Sequence, residues 1–251
     1  MSKIKLFCFP YAGGSSQVFN NCKPYLDPAI ELLSVELSGR GGRMNEPLYK
    51  DLSEAVGDVF QITRETIGIT PYALLGHSMG GLIAYGLAQK IRDHGLPPPL
   101  HIFFSGRSAP HIKREENRKF HLMEYDEFKQ EVLKLGGTPP GFFEQPELLE
   151  LFLPILKNDF KIAETEMPDE DMHPLDQDIT VFLGKDDDLT SEQCDGWKKH
   201  TRQLCSIHYF EGGHFFLYEK AREMMNLINN ILLNNIPLRS GRQNLSSNAM
   251  Y

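Results

Sequence analysis

The chain alternates between short apolar runs and longer stretches in which apolar residues recur at helical spacing. The apolar runs predict strands over residues 4–9, 32–37, 72–75, 100–104, 179–183 and 206–210. The stretches between them predict helices over residues 51–67, 79–91, 191–202 and 221–233. In the first of these helices, the spacing assigns to the core Leu52, Ala55, Val56, Val59, Phe60, Ile62 and Ile67. Such alternation is typical of an α/β fold with a mostly parallel sheet that helices cover on both faces.

The alternation stops over residues 107–176, which are polar, helical in spacing and rich in glycine and proline. Apolar residues within 148–156 predict a short amphipathic helix there. We interpret 107–176 as a helical cap inserted into a core that is formed by residues 1–106 and 177–236. Residues 237–251 are polar, and we expect them to form a loosely held tail.

Composition excludes several classes of protein. With 41% hydrophobic residues, the 251-residue chain can build a full core, and its net charge of −8 argues against a nucleic-acid binder. No run approaches the roughly 18–20 apolar residues of a membrane span, and the run at 6–9 is too short for a signal peptide. The four cysteines lack metal-site spacing, which indicates free thiols in a reducing compartment: Cys8, Cys22, Cys194 and Cys205. We therefore expect a cytoplasmic protein, and nothing demands more than a monomer.

The strongest chemical signal is the pentapeptide Gly-His-Ser-Met-Gly at residues 76–80. It follows a predicted buried strand and precedes a predicted amphipathic helix, which is the setting of a nucleophile elbow. Glycine at positions 76 and 80 has a steric reason, because side chains two residues from the strained serine would collide with backbone. We therefore predict that Ser78 is a nucleophile. His77 beside it is interpreted as a packing residue.

A serine hydroxyl needs a neighbouring base, and in this type of fold the chain order is serine, acid, histidine. His214 follows two glycines directly after the last predicted strand, where loops meet at the carboxyl edge of the sheet. Three aspartates, 186–188, follow the strand at 179–183. Spacing favours Asp187 as the acid that orients the histidine, with Asp188 as the alternative.

An oxyanion hole would complete the site. One donor is expected to be the backbone N–H of Met79, the residue after the nucleophile. The other is expected from the glycine-rich loop after the first strand, where small residues let backbone approach a tetrahedral intermediate closely. Ala12 is the favoured donor in that loop, with Tyr11 as the alternative.

Several motifs in a fixed order resemble those of the type II (editing) thioesterases of nonribosomal peptide and polyketide synthesis. The elbow marks only the superfamily, whereas the stretches 9–15 and 39–43 with 46–47, together with 136–139 in the cap, are far more specific. The resemblance covers roughly residues 4–233, and it is carried by the stretches 9–15, 39–43 with 46–47, 76–81, 136–139, 196–198 and 212–215. The chain departs from the family at Ser38, where proline is frequent, and at Asp188, which is often not acidic.

The resemblance implies an α/β-hydrolase fold with a helical cap, and a serine hydrolase that uses Ser78, Asp187, His214 and the donors Ala12 and Met79. Its implied substrates are acyl groups on the phosphopantetheine arm of acyl or peptidyl carrier proteins, and it implies no metal or organic cofactor. The apolar residues of 148–156 are candidates either for the lining of the arm's channel or for the core of the cap. Basic residues that could contact an acidic carrier protein or the arm's phosphate are Arg40, Arg43, Lys113, Arg114, Arg118 and Lys119.

Two rival functions fit the same motifs. A general carboxylesterase or acyl hydrolase would use the same triad without recognising a carrier protein. A non-catalytic binding protein could retain a hydrolase fold, although the intact triad residues and both elbow glycines argue against it.

Overall fold

The computed structural model describes residues 3–112, 119–138, 140–167 and 173–234. Six strands form one sheet in the order β2-β1-β3-β4-β5-β6, and every neighbouring pair is parallel. They are β1 (Ile4–Phe9), β2 (Ile30–Ser34), β3 (Tyr72–His77), β4 (Ile102–Ser105), β5 (Ile179–Gly184) and β6 (Cys205–Phe210). The strand order reverses between β1 and β3. In open α/β sheets, ligands bind beyond the carboxyl ends of the strands at such a reversal.

The α-helices of the described residues follow the predicted alternation. They are α1 (Leu52–Ile67), α2 (Met79–Asp93), α3 (Tyr125–Leu135), α4 (Pro146–Ala163), α5 (Ser191–Asp195), α6 (Phe216–Glu219) and α7 (Ala221–Asn234). The helix predicted over 191–202 is shorter, because α5 continues only as a 3-10 helix, Gly196–His200. No helix in these described segments is both long and apolar enough to cross a membrane.

The core lies on both faces of the sheet. On β1, Phe7 and Phe9 pack toward α1 and α2, whereas Leu6 and Cys8 pack toward α7. Successive side chains of a strand point to opposite faces, so a sheet that is covered twice needs nearly continuous apolar strands. This accounts for the unbroken apolar runs in the sequence.

All six predicted strands are present, and one is displaced. β2 covers Ile30–Ser34 and not 32–37, because its register pairs Ile30 with Ile4 and Ser34 with Cys8. Val35 donates one further N–H to the Cys8 carbonyl at 2.9 Å before the chain leaves the sheet.

The inward assignment of Ile62 in α1 is wrong. Its side chain is 45% exposed, and the neighbouring Thr63 is fully buried in its place. The Thr63 hydroxyl donates to the Val59 carbonyl at 2.9 Å, so this polar side chain can enter the core without an unsatisfied hydrogen bond.

Between β4 and β5 the chain forms α3 and α4, the helical cap. α4 has 18 residues and extends well beyond the predicted 148–156. Pro146 occupies its first turn, where proline is tolerated. Pro154 lies inside the helix, and the buried residues after it, Ile155 and Phe160 among them, offset the lost backbone hydrogen bond. The division of the chain at residues 107 and 176 stays a prediction, and the tail at 237–251 lies outside the described residues.

Trp197 fills the core on the α1–α2 face. It is fully buried and stacks on Phe104, with ring centroids 4.0 Å apart. Its indole N–H donates to the Arg107 carbonyl at 2.9 Å. The four cysteines are free thiols, and three of them are buried.

Two buried histidines outside the active site, His101 and His200, contribute to the dependence of stability on pH. Burial lowers the pKa of His101 to about 4, and burial together with nearby His111 lowers that of His200 to about 3. An unfolded histidine has a pKa near 6.5, so between about pH 4 and 6.5 the unfolded chain binds more protons and stability falls as the pH falls. We expect the free energy of unfolding to drop less from pH 7 to pH 5 in His101→Gln than in wild type, by on the order of 1–2 kcal/mol.

The measurement is a urea titration at both pH values, followed by circular dichroism. A glutamine at position 101 can still bond the Thr180 hydroxyl, which lies 2.8 Å from His101 Nε2. An equal pH-dependent loss in both proteins would show that proton uptake at position 101 does not contribute.

Candidate active site

Ser78 occupies a strained bend between β3 and α2. Its φ is 53° and its ψ is −114°, and it is the single non-glycine residue with positive φ among those the structure describes. A Cβ on Gly76 would lie 2.1 Å from the Gly80 carbonyl oxygen, and a Cβ on Gly80 would lie 2.0 Å from that of Phe9. Both glycines are therefore required for this bend, for the steric reason inferred from the sequence.

His214 contacts an acidic side chain from the loop after β5. Its Nδ1 lies 3.0 Å from Asp187 Oδ2, and the two side chains are 15% and 7% exposed. When Nδ1 carries the proton it donates to this carboxylate, and Nε2 is then free to accept a proton from another group.

Backbone contacts join the loops that carry this pair. Lys185 N–H donates to the Phe210 carbonyl at 2.8 Å, and Asp186 N–H donates to the Gly212 carbonyl at 3.0 Å. A Cβ on Gly184 would lie only 2.3 Å from the Gly213 carbonyl oxygen. Glycine at the end of β5 thus permits the close approach, a role that the sequence interpretation did not assign.

A cavity of about 330 Å³ brings the predicted site residues together. Its lining includes Ser78, Asp187, His214 and, from the first loop, Tyr11 and Ala12. Asp188, the alternative acid, also lines this cavity, but the histidine contact is made by Asp187.

The two predicted oxyanion donors occupy the expected positions in the chain. Met79 is the first residue of α2, so its N–H lies at the positive end of the helix dipole, which favours negative charge. Ala12 lies in a tight turn that Gly14 N–H closes onto the Tyr11 carbonyl at 2.9 Å.

His77 is a buried packing residue, as interpreted from the sequence. Its Nδ1 lies 2.8 Å from the Ser105 hydroxyl, and its ring lies 5.3 Å from that of His214. Burial, with a contribution from the nearby His214, lowers the pKa of His77 well below its usual value. A neutral ring here adds no positive charge beside His214.

A second cavity of about 270 Å³ lies beneath the cap and shares Tyr11 and Ala12 with the first. One face of α4 contributes Leu148, Phe152 and Leu156 to its lining. Both interpretations of 148–156 apply: Leu148 and Phe152 line this cavity, Leu149 and Leu153 pack against the apolar cluster of the cap, and Leu156 does both.

Arg40 cannot be a surface contact for a partner. It is 2% exposed and pairs with Asp159 of α4, which is fully buried. Arg43 is also used internally, with Asp58 2.7 Å away and Glu46 beside it. The Arg40–Asp159 pair joins residues 119 positions apart, so spacing could not reveal it. Lys119 is exposed, and the candidates Lys113, Arg114 and Arg118 lie outside the described residues.

Asp159 is the site-proximal residue that the sequence analysis missed. Its carboxylate accepts the Gly13 N–H at 2.7 Å, in the loop that carries Ala12. Helical spacing could have identified Asp159 as buried. It lies four residues after buried Ile155 and four before buried Ala163, on the inward face of α4.

Comparisons with known proteins agree on one family. A family model described as a thioesterase domain matches residues 4–232. The gramicidin S biosynthesis protein GrsT of Aneurinibacillus migulanus is 36% identical over 225 residues, which cover 89% of this chain and 87% of that protein.

Solved structures give the same result. The crystal structure of ClbQ, from the colibactin NRPS/PKS pathway, has a TM-score of 0.86 and 32% identity, covering 93% of this chain and 98% of ClbQ. BorB, described as the type II thioesterase from the borrelidin biosynthetic cluster, has a TM-score of 0.81 and 30% identity, covering 92% of this chain and 93% of BorB. The chain therefore has the α/β-hydrolase fold with a helical cap and belongs to the thioesterase family, as a type II thioesterase.

Proposed function

We propose that this thioesterase hydrolyses acyl groups from the phosphopantetheine arm of carrier proteins, and so clears stalled or misprimed chains during nonribosomal peptide or polyketide synthesis. The proposed triad is Ser78, His214 and Asp187. The observation that carries the proposal is the single cavity lined by all three, with the His214–Asp187 contact already formed. The kinship with proteins of gramicidin S, colibactin and borrelidin biosynthesis supports the carrier-bound substrate.

In the first half of the proposed reaction, Ser78 Oγ attacks the thioester carbonyl carbon while His214 Nε2 takes the hydroxyl proton. The N–H groups of Met79 and Ala12 stabilise the negative oxygen of the tetrahedral intermediate. The carbon–sulfur bond then breaks, and the imidazolium gives its proton to the departing pantetheine sulfur. Asp187 stabilises the imidazolium throughout.

In the second half, His214 takes a proton from water as the water oxygen attacks the acyl-enzyme carbonyl. The bond to Ser78 Oγ then breaks, the serine recovers its proton from the imidazolium, and the free acid leaves. These steps need no group beyond the protein and water. The apolar cavity under the cap is suited to the acyl chain, since it adjoins the first cavity at Tyr11 and Ala12.

Carrier recognition separates this proposal from a general acyl hydrolase. The test compares one acyl group on a phosphopantetheinylated carrier protein with the same acyl group on N-acetylcysteamine. We expect kcat/KM to be at least about tenfold higher for the carrier-bound substrate, because contacts between the two proteins add binding energy that the small thioester lacks.

Controls keep the outcomes apart. The matched oxoester tests preference for a thioester, and the carrier protein without its acyl group should compete with the loaded form. Equal kcat/KM for the two thioesters would indicate the general hydrolase. Failure of a serine-directed covalent probe to label Ser78 would favour the alternative that the chain is a non-catalytic binding protein with a hydrolase fold.

A further inference from the structure

A buried ion pair joins the cap to the core beside the active site. Arg40 Nη2 lies 2.8 Å from Asp159 Oδ1, and Arg40 Nη1 lies 2.5 Å from Asp159 Oδ2. The residues are 119 positions apart in the chain, and both are almost completely buried. Burying two charges costs free energy that their attraction only partly offsets, and apolar pairs of similar volume are often as stable. Stability alone is therefore a weak reason for this pair.

The pair also holds the backbone of the loop after β1. Asp159 Oδ2 accepts the Gly13 N–H at 2.7 Å, and Arg40 Nη1 donates to the Gly14 carbonyl at 3.1 Å. One carboxylate and one guanidinium thus fix two consecutive glycines. These bonds are charge-assisted, and such bonds are roughly twice as strong as those between neutral groups.

Geometry connects Gly13 to the neighbouring donor. Gly13 has a φ of +78°, and Gly14 N–H bonds the Tyr11 carbonyl. These features match a type II turn, in which the third residue has φ near +80°. The central peptide of this turn joins Ala12 to Gly13, and it can flip between type I and type II orientations. An acceptor for Gly13 N–H selects one of them and so anchors the turn, whose preceding peptide, between Tyr11 and Ala12, carries the Ala12 N–H.

α4 contacts the same turn a second time. A Cβ on Gly13 would lie 2.6 Å from Leu156 Cδ1, so the helix packs directly on the loop. Leu156 also lines the cavity beneath the cap. The cap helix that forms the apolar cavity therefore supports the loop at both a polar and an apolar contact.

We propose that Asp159 is a positioning residue for catalysis: by anchoring Gly13 it fixes the position of the turn, and with it the Ala12 N–H on the adjoining Tyr11–Ala12 peptide, within reach of the developing oxyanion. The inference deepens the proposed function and rests on it. Arg40 holds the Asp159 carboxylate in place through two hydrogen bonds. A cap residue thereby sets the geometry of the oxyanion hole, although it does not line the cavity that holds Ser78.

Two double variants isolate the acceptor at position 159. Arg40→Met/Asp159→Asn and Arg40→Met/Asp159→Leu both lack the buried charges, and they differ in whether an oxygen can accept the Gly13 N–H. Losing one oxyanion donor costs about 10²–10³ in kcat in a serine protease, and a misplaced donor should cost part of that. We expect kcat of the leucine variant to be roughly 10- to 100-fold below that of the asparagine variant, with KM within about twofold.

The affinities of two inhibitors distinguish a positioning role of Asp159 from a purely structural one. An alkyl trifluoromethyl ketone forms a serine adduct whose charged oxygen occupies the oxyanion hole, whereas a thioether analogue of the substrate mimics only the ground state. We expect the leucine variant to bind the ketone more weakly than the asparagine variant by the same factor as kcat, and the thioether equally well. If the leucine variant does not fold, Arg40→Met/Asp159→Ala replaces it.

The outcomes separate this inference from the proposed function. The kinetic substrate is the simple acyl thioester that wild type hydrolyses fastest. If Ser78→Ala hydrolyses it as fast as wild type, the proposed function is wrong. If hydrolysis depends on Ser78 but the two double variants share the same kcat, or lose affinity for the thioether and the ketone alike, Asp159 has no positioning role.

Discussion

Replacing Ser78 with alanine is expected to lower kcat for acyl-thioester hydrolysis by about 10⁶-fold, with little change in the stability of the fold. The hydroxyl is the proposed nucleophile, and losses of this order follow removal of a triad serine in other serine hydrolases. The residual rate reflects substrate binding and the oxyanion donors. Single-turnover hydrolysis of a carrier-bound acyl group measures the effect.

A serine-directed covalent probe gives the matched control, since wild type should be labelled and Ser78→Ala should not. The alanine lacks only an oxygen, and Ser78 already has an unusual φ of 53°. Alanine keeps the Cβ that this backbone already accommodates, so loss of the hydroxyl should not disturb the core. Turnover by Ser78→Ala within about tenfold of wild type would exclude acyl-enzyme formation at this residue.

Replacing Asp187 with alanine is expected to lower kcat by about 10³-fold, less than the loss at Ser78. The carboxylate lies 3.0 Å from His214 Nδ1, where it fixes the tautomer and stabilises the imidazolium. The neighbouring Asp188→Ala is the matched control, because it removes the same charge from the same loop and cavity. We expect its kcat to stay within about tenfold of wild type.

Both variants are compared on one thioester over a range of pH. A greater loss in Asp188→Ala than in Asp187→Ala would transfer the acid role by one residue, the alternative that the sequence left open. Equal and small losses would indicate that neither carboxylate acts on the histidine.

The fold was largely predictable because its signals are local. A sheet that is buried on both faces needs unbroken apolar strands, and those runs located all six strands. The bend at Ser78 was predictable in the same way. Residues 76 and 80 must be glycine, because a Cβ at either position would lie within about 2 Å of neighbouring backbone. The contact between His214 and Asp187 follows from where their loops leave the sheet.

Features that depend on contacts between residues distant in the sequence could not be predicted from it. In the sequence Arg40 resembles a surface cation. Its partner Asp159 lies 119 residues further along the chain, and no local pattern indicates that the two form a pair. Ile62 and Thr63 exchanged their expected positions because the threonine hydroxyl satisfies itself on its own helix, an option that hydrophobicity alone does not weigh. The helix predicted over 148–156 is likewise shorter than α4, which spans Pro146–Ala163.

Trp197 has a practical consequence for all of these variants. It is the chain's one tryptophan, and it lies in the core and outside the lining of both cavities. Its fluorescence therefore reports on the packing of the sheet and remains insensitive to substitutions around Ser78 and His214. A variant with unaltered emission but no turnover has lost chemistry, whereas a red-shifted spectrum identifies one that has lost its fold.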